Sequence, residues 1–155
     1  MGERVFYLTK EGLKKIREEK YLLEKYKTEK VRMELPSVLK HGEPESDQII
    51  FYEELGLLEK RIVEINNVLE NAVLIKTPSK NERDHVYLGA KVVVEGEEGI
   101  SEFELVGTVE NDPIVGKISD ESPIGKALLG RRVSEEVFIP EPINKTFRIL
   151  KVMYR

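Results

Sequence analysis

Phe51, Leu55, Leu58, Ile62, Ile65, Leu69 and Ala72 recur in alternating four- and three-residue steps, the seam of a coiled coil. An earlier stretch repeats the pattern less regularly. From Lys10 to Leu35 only Gly12 is a weak helix former, and Leu13, Ile16, Leu23, Tyr26 and Met33 form a broken apolar stripe among Lys, Arg and Glu. Thr9 precedes this stretch with Glu11 in its first turn, which predicts a capped helix start at Thr9. Pro36 is expected to end or kink the helix. Each arm is roughly 25 residues, roughly 38 Å at the α-helical rise, so the two can pair along their length as an antiparallel hairpin. The bend between them, about 36–48, holds Pro36, Gly42 and Pro44, together with three acids, Glu43, Glu45 and Asp47, within five positions.

Beyond Lys76 the helical period disappears. Residues 76–85 are Lys, Thr, Pro, Ser, Asn, Glu, Arg, Asp and His, a linker composition. After it come β-branched and aromatic runs at Val86–Glu95, Glu102–Glu110, Glu136–Pro140 and Thr146–Tyr154, bounded by Gly, Pro, Asn and Asp. Between the second and third, Ser122 as cap, Pro123 at the first helical position and Gly130 as stop delimit one short helix. The chain therefore reads as α+β. An antiparallel coiled-coil hairpin fills 1–75, a linker 76–85, and an antiparallel β domain with a short helix 86–155.

Charge sharpens this picture. Residues 10–35 carry nine Lys/Arg against six Glu, and residues 49–72 two against five, so the arms attract each other. The whole chain is at −4, which argues against general duplex binding, where cations must neutralise phosphates. With no cysteine and no tryptophan in 155 residues, thiolate metal sites and disulfides are excluded. No run of about 18 apolar residues is present, so neither membrane insertion nor a secretory leader is expected, and the cytoplasm is the expected location.

Ser122-Pro123-Ile124-Gly125-Lys126-Ala127-Leu128-Leu129-Gly130, preceded by Ile118-Ser119-Asp120, closely resembles the C-terminal signature of the GreA/GreB transcript cleavage factors. The opening Tyr7-Leu8-Thr9-Lys10-Glu11-Gly12-Leu13 and the stretch from Arg61-Ile62 to Ala72-Val73-Leu74-Ile75 are similar to the same family. The resemblance implies an FKBP-like second domain docked at the rim of the secondary channel of bacterial RNA polymerase, with the hairpin reaching the active centre. There the tip acids help hold a catalytic Mg²⁺ jointly with the polymerase, which cleaves backtracked nascent RNA. The factor is then accessory, with no complete active site of its own. Prolyl isomerase activity is not expected from a half so poor in aromatic residues.

The family tip reads Gly-Asp-Leu-x-Glu-Asn-Ala-Glu-Tyr, and this chain has Gly42-Glu43-Pro44-Glu45-Ser46-Asp47-Gln48-Ile49-Ile50. Glu43 stands at the first acidic position with one more methylene, whereas Ser46 replaces the second acid. Glu43, Glu45 and Asp47 are the candidate catalytic residues, with Glu43 and Asp47 as Mg²⁺ ligands, carboxylate oxygens being its usual protein donors. Asp47 serves equally well as a helix cap. The alternative function is that of a non-cleaving relative that occupies the channel and regulates the polymerase. Lys25, Lys27, Lys30 and Arg32 are candidate RNA contacts or a solvated basic face. Asp120, Ser122 and Pro123 match the polymerase-facing loop, and Ser122 and Pro123 also suit a helix start. His41 and His85 read as ordinary surface histidines.

Overall fold

The computed structural model describes residues 4–40 and 46–155. In chain order its elements are β1 (Phe6–Leu8), α1 (Lys10–Val38), α2 (Ser46–Glu70), β2 (Ala72–Leu74), β3 (Lys91–Gly96), β4 (Gly99–Val106), β5 (Lys117–Ser119), α3 (Pro123–Leu128), β6 (Glu136–Ile139) and β7 (Lys145–Met153). The expected α+β class is the observed one. The chain divides into two compact units, Met1–Gly12 with Ala72–Arg155, and Leu13–Asn71. The division thus falls at residues 12 and 71 rather than across 76–85, because β1 pairs in parallel with β2, Phe6 opposite Ala72. Ala72, expected in the helical seam, lies in that strand.

The helical unit is an antiparallel hairpin. Every expected α2 seam position from Phe51 to Leu69 is buried or half-buried, and Phe51 and Ile65 are only 1% exposed. The α1 seam differs from expectation. Leu13, Ile16, Leu23, Val31, Leu35 and Val38 are buried or half-buried, yet Tyr26 and Met33 are exposed at 54% and 71%, and Lys27 and Lys30 are covered among them. Lysine stems are apolar enough to pack there while their ammonium groups reach carboxylates at the rim. Two interhelical ion pairs result, Lys27 with Glu59 (3.2 Å) and Lys30 with Glu54, and Arg61 of α2 adds a pair with Glu19 of α1 (2.8 Å). Pro36 does not end α1, which continues to Val38. Near a C-terminus the proline removes one hydrogen bond and only the final turn follows it.

In the other unit a five-stranded sheet runs β5-β4-β3-β7-β6. All neighbours are antiparallel except β4 and β5, which run parallel with Leu105 opposite Ile118. Period-two alternation sends Val92, Val94, Val137, Ile139 and Ile149 inward, while Glu95, Glu136 and Phe138 stay exposed. Of these, Val92, Val94, Val137 and Ile149 pack with Val86, Ala90, Leu105, Ile118 and Leu128 of α3 into one core. Burial of each Val, Leu or Ile contributes about 1.5–3 kcal/mol. The first strand begins at Lys91, five residues later than expected, because Gly89 turns at φ +90°. Residues before that turn pair elsewhere: Val86 N–H donates to Arg131 (2.8 Å), and Gly130 N–H donates to Val86 (2.7 Å).

Candidate functional site

The hairpin bend is the first candidate. Glu43 and Glu45 lie outside the described residues. Asp47 is exposed in the first turn of α2, where the helix dipole favours a carboxylate. One residue further, Gln48 Nε2 donates to the Val38 carbonyl, tying the start of α2 to the end of α1. Asp47 offers a hard oxygen donor of the kind Mg²⁺ takes. Among the described residues no three His, Cys, Asp or Glu side chains cluster into a metal site.

The four basic candidates do not form one patch. Lys25 and Arg32, seven residues apart, are exposed on one face of α1. Lys27 is half-buried on Glu59. Lys30 is buried, its side chain 3% exposed, held by Glu54 across the hairpin and by Glu34 one turn on (2.9 Å), with its Nζ 5.3 Å from the Phe51 ring centroid. The hydrogen bonds it donates to Glu54, then to Glu34, raise its pKa above the ordinary lysine value against the opposing effect of desolvation. The Lys30 ammonium, expected as an RNA contact or part of a solvated basic face, is instead committed inside the hairpin.

The third candidate, Asp120, Ser122 and Pro123, forms the loop from β5 into α3. Ser122 Oγ accepts from Gly125 N–H (3.0 Å) and donates to the Ser119 carbonyl (2.6 Å). Ser119 in turn is held through its N–H by Asn111 (3.0 Å), and its Oγ accepts from Glu121 N–H (3.0 Å). Gly125 is obligatory here, since a Cβ would stand 1.9 Å from the Ser119 carbonyl oxygen. The loop is therefore tied by hydrogen bonds at each of these positions. It presents Pro123 and Glu121 outward with Asp120 half-exposed between the elements. Both roles expected of Ser122 and Pro123 are compatible with this geometry, because capping uses the inner edge of the loop.

Sequence reasoning missed two polar constructions. Glu110 accepts from Thr9 N–H (2.8 Å) and Thr9 Oγ1 (2.5 Å), while Thr9 Oγ1 caps Gly12 N–H (3.0 Å). Thr9 was legible as a cap, but its partner lies 101 residues away and carries no local signal. His85 is the other, more than an ordinary surface histidine. Its Nε2 accepts from Arg132 Nε (2.7 Å), so its proton sits on Nδ1 and is donated to Asp84 (2.8 Å), and its ring stacks on Tyr87.

Residues 80–154 match the family described as "Transcription elongation factor, GreA/GreB, C-term". Transcription elongation factor GreA of Clostridium acetobutylicum is 36% identical over 97% of this chain and 98% of its own. The chain belongs to the GreA/GreB family. GreA of Thermomicrobium roseum is 34% identical over 94% of this chain and 95% of its own, so the match spans hairpin and sheet alike. Among solved structures, GreA factor homolog 1 of Thermus thermophilus is 25% identical, covers 97% of this chain and 99% of its own, and has a TM-score of 0.42. The GreA/GreB factor from Nitrosomonas europaea, at 24%, covers 66% of this chain and 93% of its own, also with a TM-score of 0.42. The assignment rests on the sequence matches. No helix among the described residues is long and apolar enough to cross a membrane.

Proposed function

We propose that this chain is an accessory elongation factor of bacterial RNA polymerase, docking through the Asp120–Pro123 loop and inserting its hairpin into the secondary channel. There it stimulates the polymerase's own cleavage of backtracked RNA. The observation that carries the reading is the hairpin itself, a narrow helix pair whose bend holds Glu43 and Glu45 and whose second helix opens on exposed Asp47. Family membership supports the polymerase as partner. Glu43 and Asp47 would lend oxygen ligands to a Mg²⁺ ion shared with the polymerase, an ion that stabilises attacking and leaving oxygens in phosphodiester hydrolysis. The chain's own contribution is position and negative charge. Lys25 and Arg32, the exposed pair, are the cations available to the RNA backbone.

A second reading, channel occupancy without cleavage, is favoured by Ser46. It stands where the family carries its second acid, and it is the first residue of α2. Adding the protein to backtracked complexes of its cognate polymerase with Mg²⁺ separates the two. Shortened RNA is expected, Glu43→Ala should remove most of the effect, and Ser46→Glu should increase it. Retained binding with no shortening would establish the second reading and discard the first.

A further inference from the structure

Every residue from Asn111 to Val115 is exposed, and the segment ends on two β-branched apolar side chains, Ile114 at 96% and Val115 at 65%. A single exposed apolar residue is ordinary on a protein surface. Two in succession on a turn are not what the turn needs, since turn positions favour Gly, Asn, Asp and Ser. At such exposure Ile114 packs on nothing in the fold and adds little to its stability. The backbone beneath it is nevertheless built. Pro113 fixes its own φ, Val115 N–H donates to the Asp112 carbonyl (3.2 Å), and Gly116 N–H, at φ +78°, donates to the Pro113 carbonyl (3.2 Å). Asp112 and Lys117 exchange two further backbone bonds (2.8 and 3.0 Å), which close the turn at its base.

The tip shares its support with the loop from β5 into α3. Asn111, at the base of the tip, accepts from Ser119 N–H (3.0 Å), and Ser119 in turn holds Glu121 and Ser122. The three residues of β5 separate tip and loop by about 10 Å at the rise of a strand, so both fit within the roughly 800 Å² that one partner contributes to a standard interface. The surrounding charge is acidic: Glu102, which flanks Gly116, with Asp112, Asp120 and Glu121, against Lys117 and Arg4, and Arg4 already sits on Glu121 (3.5 Å). That sign repels phosphate backbones and anionic lipid surfaces. It suits a protein surface that offers an apolar socket with a basic rim.

We propose that Ile114 and Val115 are an apolar anchor for RNA polymerase, entering a basic-rimmed socket of the polymerase beside the Asp120–Pro123 loop. Naming the polymerase as occupant rests on the functional reading above, in which that loop docks. The turn is already formed in the free chain, so little conformational freedom is lost on docking. Almost the whole Ile114 side chain is available to leave water. Asp120 and Glu121 supply charge at the rim, and the tip supplies apolar area that the loop lacks.

The test is a titration of the full chain against its cognate polymerase at low and high salt, with urea denaturation of each variant alongside. Ile114→Ser should weaken binding about tenfold, and adding Val115→Ser should weaken it further, while Ile114→Leu binds as the natural chain does. Urea midpoints should not move. The loss should be equal at both salts, because the contact is apolar, whereas the loss from Asp120→Ala should shrink as salt rises. Natural binding by the double variant beside weakened binding by Asp120→Ala overturns the anchor and leaves the docking reading standing. Weakened binding by the double variant alone keeps the anchor and removes the loop. Natural binding by both overturns anchor and docking reading together. A lowered urea midpoint in the double variant would mean that the tip serves the fold, and overturns the proposal. So does a natural chain that sediments as a dimer which the double variant breaks, since the occupant is then a second copy.

Discussion

At the scale of single residues, Glu110 shows how a site can depend on a side chain with no motif. Its carboxylate takes both hydrogens of Thr9 at the start of α1, so a negative charge sits where four backbone N–H groups lack helical partners. Gly12 is part of the same arrangement, because a Cβ there would lie 2.2 Å from the Glu110 carboxyl. Glycine in a helix ordinarily costs about 1 kcal/mol relative to alanine. In the natural chain Gly12→Ala should nevertheless destabilise, since the methyl displaces the carboxylate. Glu110→Ala alone should cost about 1–2 kcal/mol. In the Glu110→Ala background, however, Gly12→Ala should become stabilising. Urea denaturation of the four proteins checks the change of sign, and additive effects would contradict it.

Lys30 makes a second residue-scale prediction, this time in pH. Its pKa is raised in the folded chain, so the stability that the Glu54 and Glu34 bonds contribute is fully present below the ordinary lysine value of 10.5. It is lost as pH climbs past that value toward the folded pKa. The hairpin should therefore weaken in strongly alkaline solution more than a Lys30→Met variant, whose seam holds no titrating group at this position. Helical circular dichroism against urea at two alkaline pH values measures it. Equal losses in both proteins would show that other groups, such as the tyrosines, govern the alkaline limit.

At the scale of elements, legibility followed how far the physics was local. The α2 seam was readable because its apolar residues alone keep the 3.5-residue period. In α1 apolar spacing alone points to Tyr26 and Met33, because a lysine side chain ends in a charge that belongs at a surface, and nothing local indicates that Glu54 and Glu59 sit across from Lys30 and Lys27. The helix α3 was legible from Ser122, Pro123 and Gly130, whose roles are local to its ends. Strands β1, β2 and β5, three residues each, are too short to display a period, and only pairing defines them. The α3 loop also carries a prediction. Gly125→Ala must move the Ser119 carbonyl or α3 itself, so it should cost about 1–3 kcal/mol as overpacking. Ser122→Ala, which removes only the cap, should cost about 1 kcal/mol. If the loop docks, Gly125→Ala should also weaken polymerase binding more than Ser122→Ala does, as a binding titration would show.

At the scale of the whole molecule, the two compact units draw on different sources of stability. The sheet unit has a continuous apolar core in which nine residues are at most 5% exposed. The hairpin has a thin seam, and its interhelical ion pairs include exposed ones such as Arg61–Glu19, worth about 0.2–1 kcal/mol at such exposure. Leu128→Ala removes a side chain from the centre of the sheet core and should cost about 2–5 kcal/mol there, while Ile65→Ala should remove a comparable amount from the seam. Where the units are energetically separate, each loss stays local, because opening of one unit does not require opening of the other. Hydrogen exchange resolved by segment gives the answer directly. Leu128→Ala should accelerate exchange in β3, β4 and β7 and leave the seam amides of α1 and α2 unchanged, and Ile65→Ala should do the reverse. Acceleration of both units by either substitution would mean that the chain unfolds as one cooperative body, and that a hairpin substitution such as Glu54→Ala would reach the loop between β5 and α3 as well.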